Sequence, residues 1–462
     1  MNRMTTNKNI YVDGQAAGKQ KKVICFFKSL FLLVMILSAL TSSSQRILTV
    51  EEAIATALQN NYDIQLSRND SAVAALDYSF RNAIFLPGIN GNISDVWSNN
   101  NQDQRFSDGT VRKRNDIKSN NLNAALQLNW TLFDGFKMFA TRSKAQEFIR
   151  LGELGIKNQV INTVAAVITT YYNVVRQKQQ LIAIEEQMSI NGERVKLAQY
   201  KLDIGVGAKP DVLQSKVDLN AQKASQLTQQ TLIAQLKEQL NQAMNVAQNS
   251  NYDVSDTIPL NMNIILTDIQ TNIENSNPTL LIAKKNIDIA HFTLKEQRAE
   301  RFPILSLNSA YNFSRANNKA TVNPFQPLYN QNYGRNVGLT ATIPILNGFN
   351  TKRLVRQAQL DIQYKKLYYE SQRSQVSLSV LNAYTNYEEQ KKALALEEEN
   401  ILLAKENVDI VFQTYKLGAA TFIQLREAQK SLEDAYNRLI AARYNTKLAE
   451  TELLRLKGDL VK

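Results

Sequence analysis

A run of 67 residues from Thr351 to Leu417 contains neither glycine nor proline. Within this run, alternating steps of four and three residues from Val376 to Tyr415 visit twelve positions, ten of which are apolar or aromatic. This spacing predicts the buried seam of a coiled coil. At 1.5 Å per residue the helix would reach about 100 Å, so the sequence predicts an elongated fold.

Further helices of two lengths are predicted. The helix predicted from Lys137 to Leu202 is nearly as long as the one predicted over Thr351–Leu417. Four shorter segments are predicted at Thr49–Phe85, Asp211–Asn245, Thr267–Arg301 and Thr421–Lys457. Two short segments placed end to end match one long helix, so we expect each long helix to lie beside two stacked short ones.

The composition limits the chemistry that is available to the chain. Its one cysteine and one histidine exclude a Cys/His zinc cluster, and a catalytic triad would depend on His291 alone. We therefore predict a non-enzymatic protein without a cofactor or a metal site. The net charge of +12 is compatible with nucleic acid or a membrane surface. Because the basic residues do not cluster on one face, no nucleic acid partner is expected.

The first 45 residues have the pattern of a secretory signal peptide. Lys19, Lys21 and Lys22 precede an apolar run over Leu30–Leu40, and small polar residues lead to Gln45. The apolar run is shorter than the ~20 residues of a comfortable membrane span. We expect residues 1–45 to be removed on export, and an N-terminal membrane anchor is the alternative.

The remaining chain is predicted to contain one unit twice, at residues 46–258 and 259–462. Three landmarks recur in the same order at offsets of 213 to 216 residues. They are the proline exits Phe85–Pro87 and Arg301–Pro303, the glycine turns Leu132–Phe136 and Ile345–Phe349, and the turns that begin at Tyr200 and Tyr415.

Each unit contains two segments in which apolar and polar residues alternate, as in strands. They are predicted at about residues 89–98 and 122–133 in the first unit, and at 304–314 and 336–346 in the second. Each has about the 9–11 residues that cross a bilayer as a tilted strand. The polar positions are rich in Asn, Ser and Thr, and the segments 99–121 and 315–335 are predicted as long polar loops. Two soluble hairpins that cover a core are the alternative.

Four membrane strands cannot form a closed barrel. Open sheet edges are not tolerated in hydrocarbon, because each unpaired backbone group costs several kcal/mol there. At least two copies of the chain must therefore assemble. A dimer would give a narrow eight-stranded barrel and a trimer a twelve-stranded channel, and these arguments do not choose between them.

Together, the leader, the twofold repeat, the strand pairs, the long coiled coils and the Leu/Phe-Asp/Asn-Gly turns resemble the TolC-like outer-membrane efflux family. The resemblance covers residues 45–462. It implies a mainly α fold with membrane β structure, in which a homotrimer forms a twelve-stranded barrel among outer-membrane lipids and an α-helical barrel across the periplasm. It also implies an exit duct for an efflux or type I secretion system, with a periplasmic adaptor and an inner-membrane RND or ABC pump as partners.

The resemblance places a gate at the periplasmic turns between the helices. Tyr415 and Gly418 match the tyrosine and glycine of the family's turn, and Asp211 matches the acidic partner on the other coiled coil. The basic latch residue of the family falls on Ala420. A Tyr415–Asp211 hydrogen bond without a salt bridge is therefore implied.

The acidic ring positions of the family fall on Gln424 and Glu427, with Arg426 between them. Half of the ring charge is thus missing, which argues against strong cation selectivity. Each of these residues also has a structural interpretation. Gln424 fits a capping box that starts at Thr421, and Asp211 fits the first turn of a helix.

A rival interpretation is an exported coiled-coil scaffold without channel activity, which leaves the four alternating segments unexplained. If the protein is an exit duct, the sequence does not identify the transported substrate. Drugs, metal ions and secreted proteins are all compatible with it.

Overall fold

The computed structural model describes residues 46–250 and 252–460. The predicted signal peptide and Cys25 lie outside the described residues. The first unit contains the elements β1 (Arg46–Leu48), α1 (Val50–Asn60), α2 (Tyr62–Ser79), β2 (Gly88–Arg105), β3 (Val111–Phe133), α3 (Lys137–Asp203), α4 (Lys209–Met244) and β4 (Tyr252–Val254). The second contains α5 (Leu266–Gln270), α6 (Ile273–Ser276), α7 (Pro278–Ala299), β5 (Ile304–Asn318), β6 (Tyr329–Thr342), α8 (Asn350–Lys416) and α9 (Phe422–Lys457).

The long helices confirm the prediction of an elongated fold. Both α3 and α8 contain 67 residues, which corresponds to about 100 Å each. Helix α3 packs against α2 and α4, and α8 packs against α7 and α9, so each long helix lies beside two shorter ones as expected. We call the α3–α4 pair coiled coil one and the α8–α9 pair coiled coil two.

Two of the predicted short helices are interrupted. The segment Thr49–Phe85 is divided at Asn61, whose extended backbone ends α1. The Asn61 side chain then caps α2 by accepting from the amides of Asp63 and Ile64 at 2.9 and 3.3 Å. The segment Thr267–Arg301 is likewise divided, because Asn277 is extended and its side chain caps α7. The prediction of continuous helices there is corrected.

The four long strands form one antiparallel sheet in the order β2–β3–β5–β6. The strands over 88–105, 111–133 and 304–318 are longer than predicted, and the expected loops 99–121 and 315–335 are mostly paired. Hydropathy alternation ends where the apolar face ends, whereas backbone pairing continues through polar residues. Strand β6 stops at Thr342 instead of residue 346, ahead of Pro344, which cannot donate to a ladder.

The strand register separates the sheet into an apolar face and a polar face, because directly opposite residues share a face. Rows of the apolar face include Ile93, Ala124, Phe313 and Tyr333. Rows of the polar face include Ser94, Asn123, Ser314 and Asn332. The predicted alternation therefore extends across all four strands, although the apolar face also carries Arg335 in one row and Asp95 and Arg315 in another.

Each strand pair enters its long helix through a turn with left-handed backbone. Gly135 and Phe136 have φ of +71° and +69°, and Gly348 and Phe349 have +60° and +59°. A Cβ at Gly135 would lie 2.4 Å from the carbonyl oxygen of Ala299, so a side chain does not fit there. The repeated turns thus give both units the same connection from sheet to rod.

A small parallel sheet of β1 and β4 was not predicted, because three-residue strands have no visible period. It lies on a core cluster that includes Val167, Tyr171 and Leu240. Lys178 holds this region together through Asp253 at 2.5 Å and Asp256 at 2.6 Å. Within the described ranges, no helix is long and apolar enough to cross a membrane.

Candidate gate at the helical tips

Two turns with nearly the same backbone geometry join the helices of each coiled coil. Gly205 and Gly418, with φ of +79° and +80°, end α3 and α8 in the left-handed region that glycine favours. The amides of Val206 and Gly207 donate to the carbonyl oxygen of Lys201 at 2.9 and 2.8 Å. The amides of Ala419 and Ala420 donate to Thr414 at 2.9 and 3.2 Å. The predicted place of Gly418 in the turn is thus visible.

Tyr415 lies at the contact between the two turns. Its side chain is buried, and the ammonium of Lys201 lies 3.9 Å from the centre of its ring. The same ammonium donates to the carbonyl oxygen of Tyr415 at 2.5 Å. Lys201, which sequence reasoning did not select, therefore joins the tip of coiled coil one to that of coiled coil two.

Asp211 is in the first turn of α4, where its structural interpretation placed it. Burial raises the pKa of the Tyr415 hydroxyl, the negative charge of Asp211 raises it further, and Arg194 opposes the shift. Within residues 46–250 and 252–460, no hydrogen bond joins the Tyr415 hydroxyl to the Asp211 carboxylate. The two groups are thus electrostatic neighbours in the single chain, without the hydrogen bond that the resemblance implied.

Arg194 of α3 is the most buried charged side chain near the tip, at 1 % exposure. Its guanidinium contacts Asp218 of α4 at 2.5 Å and donates to the side-chain oxygen of Gln429 of α9 at 2.6 Å. It also lies 5.2 Å from the ring centre of Phe422. Burial lowers the pKa of Arg194, and Asp218 opposes that shift. One cation therefore links three helices from both coiled coils.

The remaining ring candidates have separate places. Gln424 completes a capping box with Thr421, whose amide donates to the Gln424 side-chain oxygen at 2.8 Å. Arg426 and Glu427 are exposed and line a groove of about 310 Å³ with Arg194 and Asp218. Of the two ring positions, Glu427 thus lies with Arg426 in one groove beside the buried arginine, and Gln424 serves as a helix cap.

Polar side chains also join α3 to α9 above the tip. We call this contact the inter-coil seam and define it by the pairs Gln180–Asn437, Glu186–Tyr436 and Arg194–Gln429. The Tyr436 hydroxyl donates to Glu186 at 2.5 Å. Alternating steps of three and four from Gln177 reach Gln187, Asn191 and Arg194, all of which are buried. This period of polar residues was the signal that could have revealed Arg194.

Within the described ranges, no group of three or more His, Cys, Asp and Glu side chains could hold a metal ion. The site consists instead of hydrogen bonds and ion pairs between helices. Such contacts can hold two rods together and can be exchanged for water when the rods separate.

Comparisons with known proteins agree with this architecture. A family model described as outer membrane efflux protein matches residues 53–246 and 271–459. The chain is 21% identical to the outer membrane efflux protein BepC of Brucella suis over 94% of this chain and 91% of that protein. It is 22% identical to the outer membrane protein TolC of Escherichia coli, over 78% and 73%. The crystal structure of the Campylobacter jejuni CmeC outer membrane channel superposes with a TM-score of 0.74 at 15% identity, over 89% and 86% of the chains.

Proposed function

The chain belongs to the outer membrane efflux protein family, and on that premise we propose that three copies assemble into one channel. The protein is an outer-membrane exit duct for efflux or secretion that extends into the periplasm. In our proposal the twelve strands of a trimer form the barrel, and coiled coils one and two form its helical continuation. The chain acts as a passive conduit, and a periplasmic adaptor connects it to an inner-membrane RND or ABC pump.

The observation that carries this proposal is the sheet with one apolar and one polar face. Its edge strands β2 and β6 each pair with one neighbour, and within the described ranges no strand pairs with the outer edge of either. In hydrocarbon such edges must be paired, and closure with further copies pairs them. The Asn-, Ser- and Thr-rich face would then line a wet lumen, and the apolar face would contact lipid.

Neighbouring residues on opposite faces of β3 give a matched test. Leu128 lies on the apolar face, in a row with Ile89 and Val337, and Gln127 lies on the polar face. An arginine on the lipid face near the midplane costs about 2–4 kcal/mol, whereas one in the lumen changes selectivity. We expect Leu128→Arg to abolish the heat-dissociable oligomer seen by electrophoresis without boiling, and Gln127→Arg to keep it. Equal tolerance of both changes would contradict the placement of the faces.

We further propose that Arg194, Tyr415 and Asp211 hold the tip closed. The burial of Arg194, its contacts with α4 and α9, and the position of Tyr415 between the turns support this role. In this chain the buried arginine of α3 supplies the cation that the family pattern places at Ala420. We expect Tyr415→Ala and Asp211→Ala to raise single-channel conductance in planar bilayers. Unchanged conductance in both variants would remove these residues from the gate.

A further inference from the structure

Two lysines face each other on the apolar side of the sheet, above its last apolar row. Asn318 pairs with Ser119, and the next amide, that of Lys319, donates to the carbonyl oxygen of Lys118 at 2.8 Å. Lys118 and Lys319 are therefore opposite residues on one face. Like charges in directly opposite positions destabilise a sheet unless an anion balances them.

The carboxylates of this region balance the pair only in part, through Asp116 and Lys118. Asp116 lies 3.7 Å from the Lys118 ammonium, and both side chains are more than half exposed. Asp116 also accepts a hydrogen bond from Asn99 at 2.6 Å, and Asp95 accepts one from Asn120 at 2.6 Å. Lys319 has no acidic partner within residues 46–250 and 252–460, and Arg315, one row below Asn317, adds a further cation to this face.

The lysines belong to a pocket of about 470 Å³. Six of its eight lining residues come from two rows of the apolar face, and they are Trp97, Asn120 and Asn317 in one row and Asn99, Lys118 and Lys319 in the next. Ser98 and Ser119 of the intervening row complete the lining. Trp97 is 74% exposed. Ammonium and amide donors beside an aromatic ring suit a phosphate group attached to an apolar body.

The height of the pocket indicates where such a group would come from. Trp97 follows the last apolar row, at Ile93, by four residues, or about 13 Å along a strand. With a tilt near 40°, this is about 10 Å along the membrane normal, in the headgroup layer. In the proposed orientation this is the outer leaflet, because the opposite ends of the strands connect to the long helices.

We propose that this pocket binds the phosphomonoester of an outer-leaflet lipid through Lys118 and Lys319. The inference rests on the proposed placement of the apolar face in lipid. The phosphate balances the opposed lysines, and the acyl chains of the lipid lie along the apolar rows below. Each protomer of the channel thereby gains a specific contact with the membrane in addition to its hydrophobic band.

Trp97 allows a direct test, because the chain has two tryptophans and Trp130 is the other. In a full-length Trp130→Phe background, the indole fluorescence of the detergent-solubilised protein reports the pocket. We titrate this protein with diphosphoryl lipid A, with phosphatidylglycerol and with sodium phosphate. We expect a saturable change with lipid A alone.

Variants of the two rows show whether the lysines cause the binding. One lysine near an anionic surface corresponds to about 1 kcal/mol, so we expect Lys319→Gln to weaken lipid A binding about fivefold. Lys118→Gln in addition should weaken it by about a further fivefold. Lys113→Gln is the control, because Lys113 lies nearer the start of β3 than Lys118, outside the pocket, and already pairs with Asp103 at 2.5 Å.

The outcomes separate the two proposals. Equal titrations for Lys319→Gln and its parent, or equal responses to phosphatidylglycerol or sodium phosphate, would overturn the lipid site. Heat-dissociable oligomers and channel conductance are measured on the same preparations. If both persist without a lipid A response, the lipid site is wrong and the channel stands. If both are absent from the parent protein, the proposed function falls and the lipid site falls with it.

Discussion

The seam inside coiled coil two and the inter-coil seam are built from opposite kinds of side chain. In α8, the residues Val380, Tyr387, Leu394, Ile401 and Val408 recur every seven positions and are all buried. In α3, the buried residues at the corresponding spacing include Gln187, Asn191 and Arg194. One seam is therefore held by apolar burial, and the other mainly by directional polar contacts, with Ile190 of α3 packed against the apolar cluster of coiled coil two.

This difference indicates which contact is permanent and which can open. Apolar burial is non-directional and is lost entirely when helices separate. Polar pairs exchange their partners for water at a net cost of about 0.5–1.5 kcal/mol each. The inter-coil seam also leaves the side-chain nitrogen of Gln429 and the Nε of Arg194 buried and without a hydrogen-bond partner among the described residues. The same holds for the side-chain nitrogen of Gln187, which lines the groove beside them. Coiled coil two thus behaves as one rod, and the contact between the rods is the place where movement costs least.

The two polar positions in the α8 seam support this division. The hydroxyl of Thr446 donates a hydrogen bond to the backbone oxygen of Gln390 at 3.3 Å. The Nε of Arg438 donates to both carboxylate oxygens of Glu397, each at 3.1 Å. Both contacts join α8 to α9, so even the polar positions of this helix stabilise its own coiled coil.

The largest effect is expected inside coiled coil two. Leu394 is 1% exposed, so Leu394→Ala should cost about 2–5 kcal/mol through lost burial and a cavity. The readout is the denaturant midpoint for loss of helical circular dichroism. Leu396→Ala is the matched control, because Leu396 is 62% exposed on the same helix. Equal losses for the two variants would show that the seam is not the main source of cohesion.

A smaller effect of opposite sign is expected at Gln187, beside the inter-coil seam. The substitution Gln187→Leu removes a buried amide nitrogen that has no hydrogen-bond partner among the described residues. Burying such a donor costs about 1–3 kcal/mol of folding free energy. We expect the denaturant midpoint to rise and single-channel conductance to fall, because the closed contact becomes more stable. A lower midpoint would mean that the polar seam is already at its most stable composition.

The smallest effect is expected at the exposed mouth of the groove. Glu427 is exposed, so Glu427→Gln should leave the denaturant midpoint within about 0.5 kcal/mol of its original value. Cation preference, measured as the reversal potential across a salt gradient, should decrease. An unchanged reversal potential would show that the remaining acidic position is not the filter.

Sequence reasoning succeeded where the apolar period is strong. The long helix predicted over Thr351–Leu417 is observed at Asn350–Lys416, because ten apolar seam positions and glycine turns define both its face and its ends. The residues matched to the gate were placed by resemblance, and their role stays a proposal. Gln424 as a cap was recognisable from the spacing to Thr421 alone.

It failed where polar residues have structural roles. Arg194 in isolation resembles any surface arginine, and its burial depends on Asp218, Gln429 and Phe422, which are distant in sequence. The lengths of the strands were underestimated because hydropathy reports the apolar face and not the backbone ladder. Asn61 interrupts a helix without a glycine or proline to announce it.

The central claim, that a polar contact between two cohesive rods keeps the tip closed, is tested by the conductance of Arg194→Met. Loss of a charge-assisted hydrogen bond of about 1.5–3 kcal/mol shifts a closed–open equilibrium about tenfold or more toward the open state. Arg438→Met is the control, because the Arg438–Glu397 pair lies within coiled coil two. We predict higher single-channel conductance in planar bilayers for Arg194→Met and unchanged conductance for Arg438→Met. Unchanged conductance for Arg194→Met, or the same increase in both variants, would contradict the account.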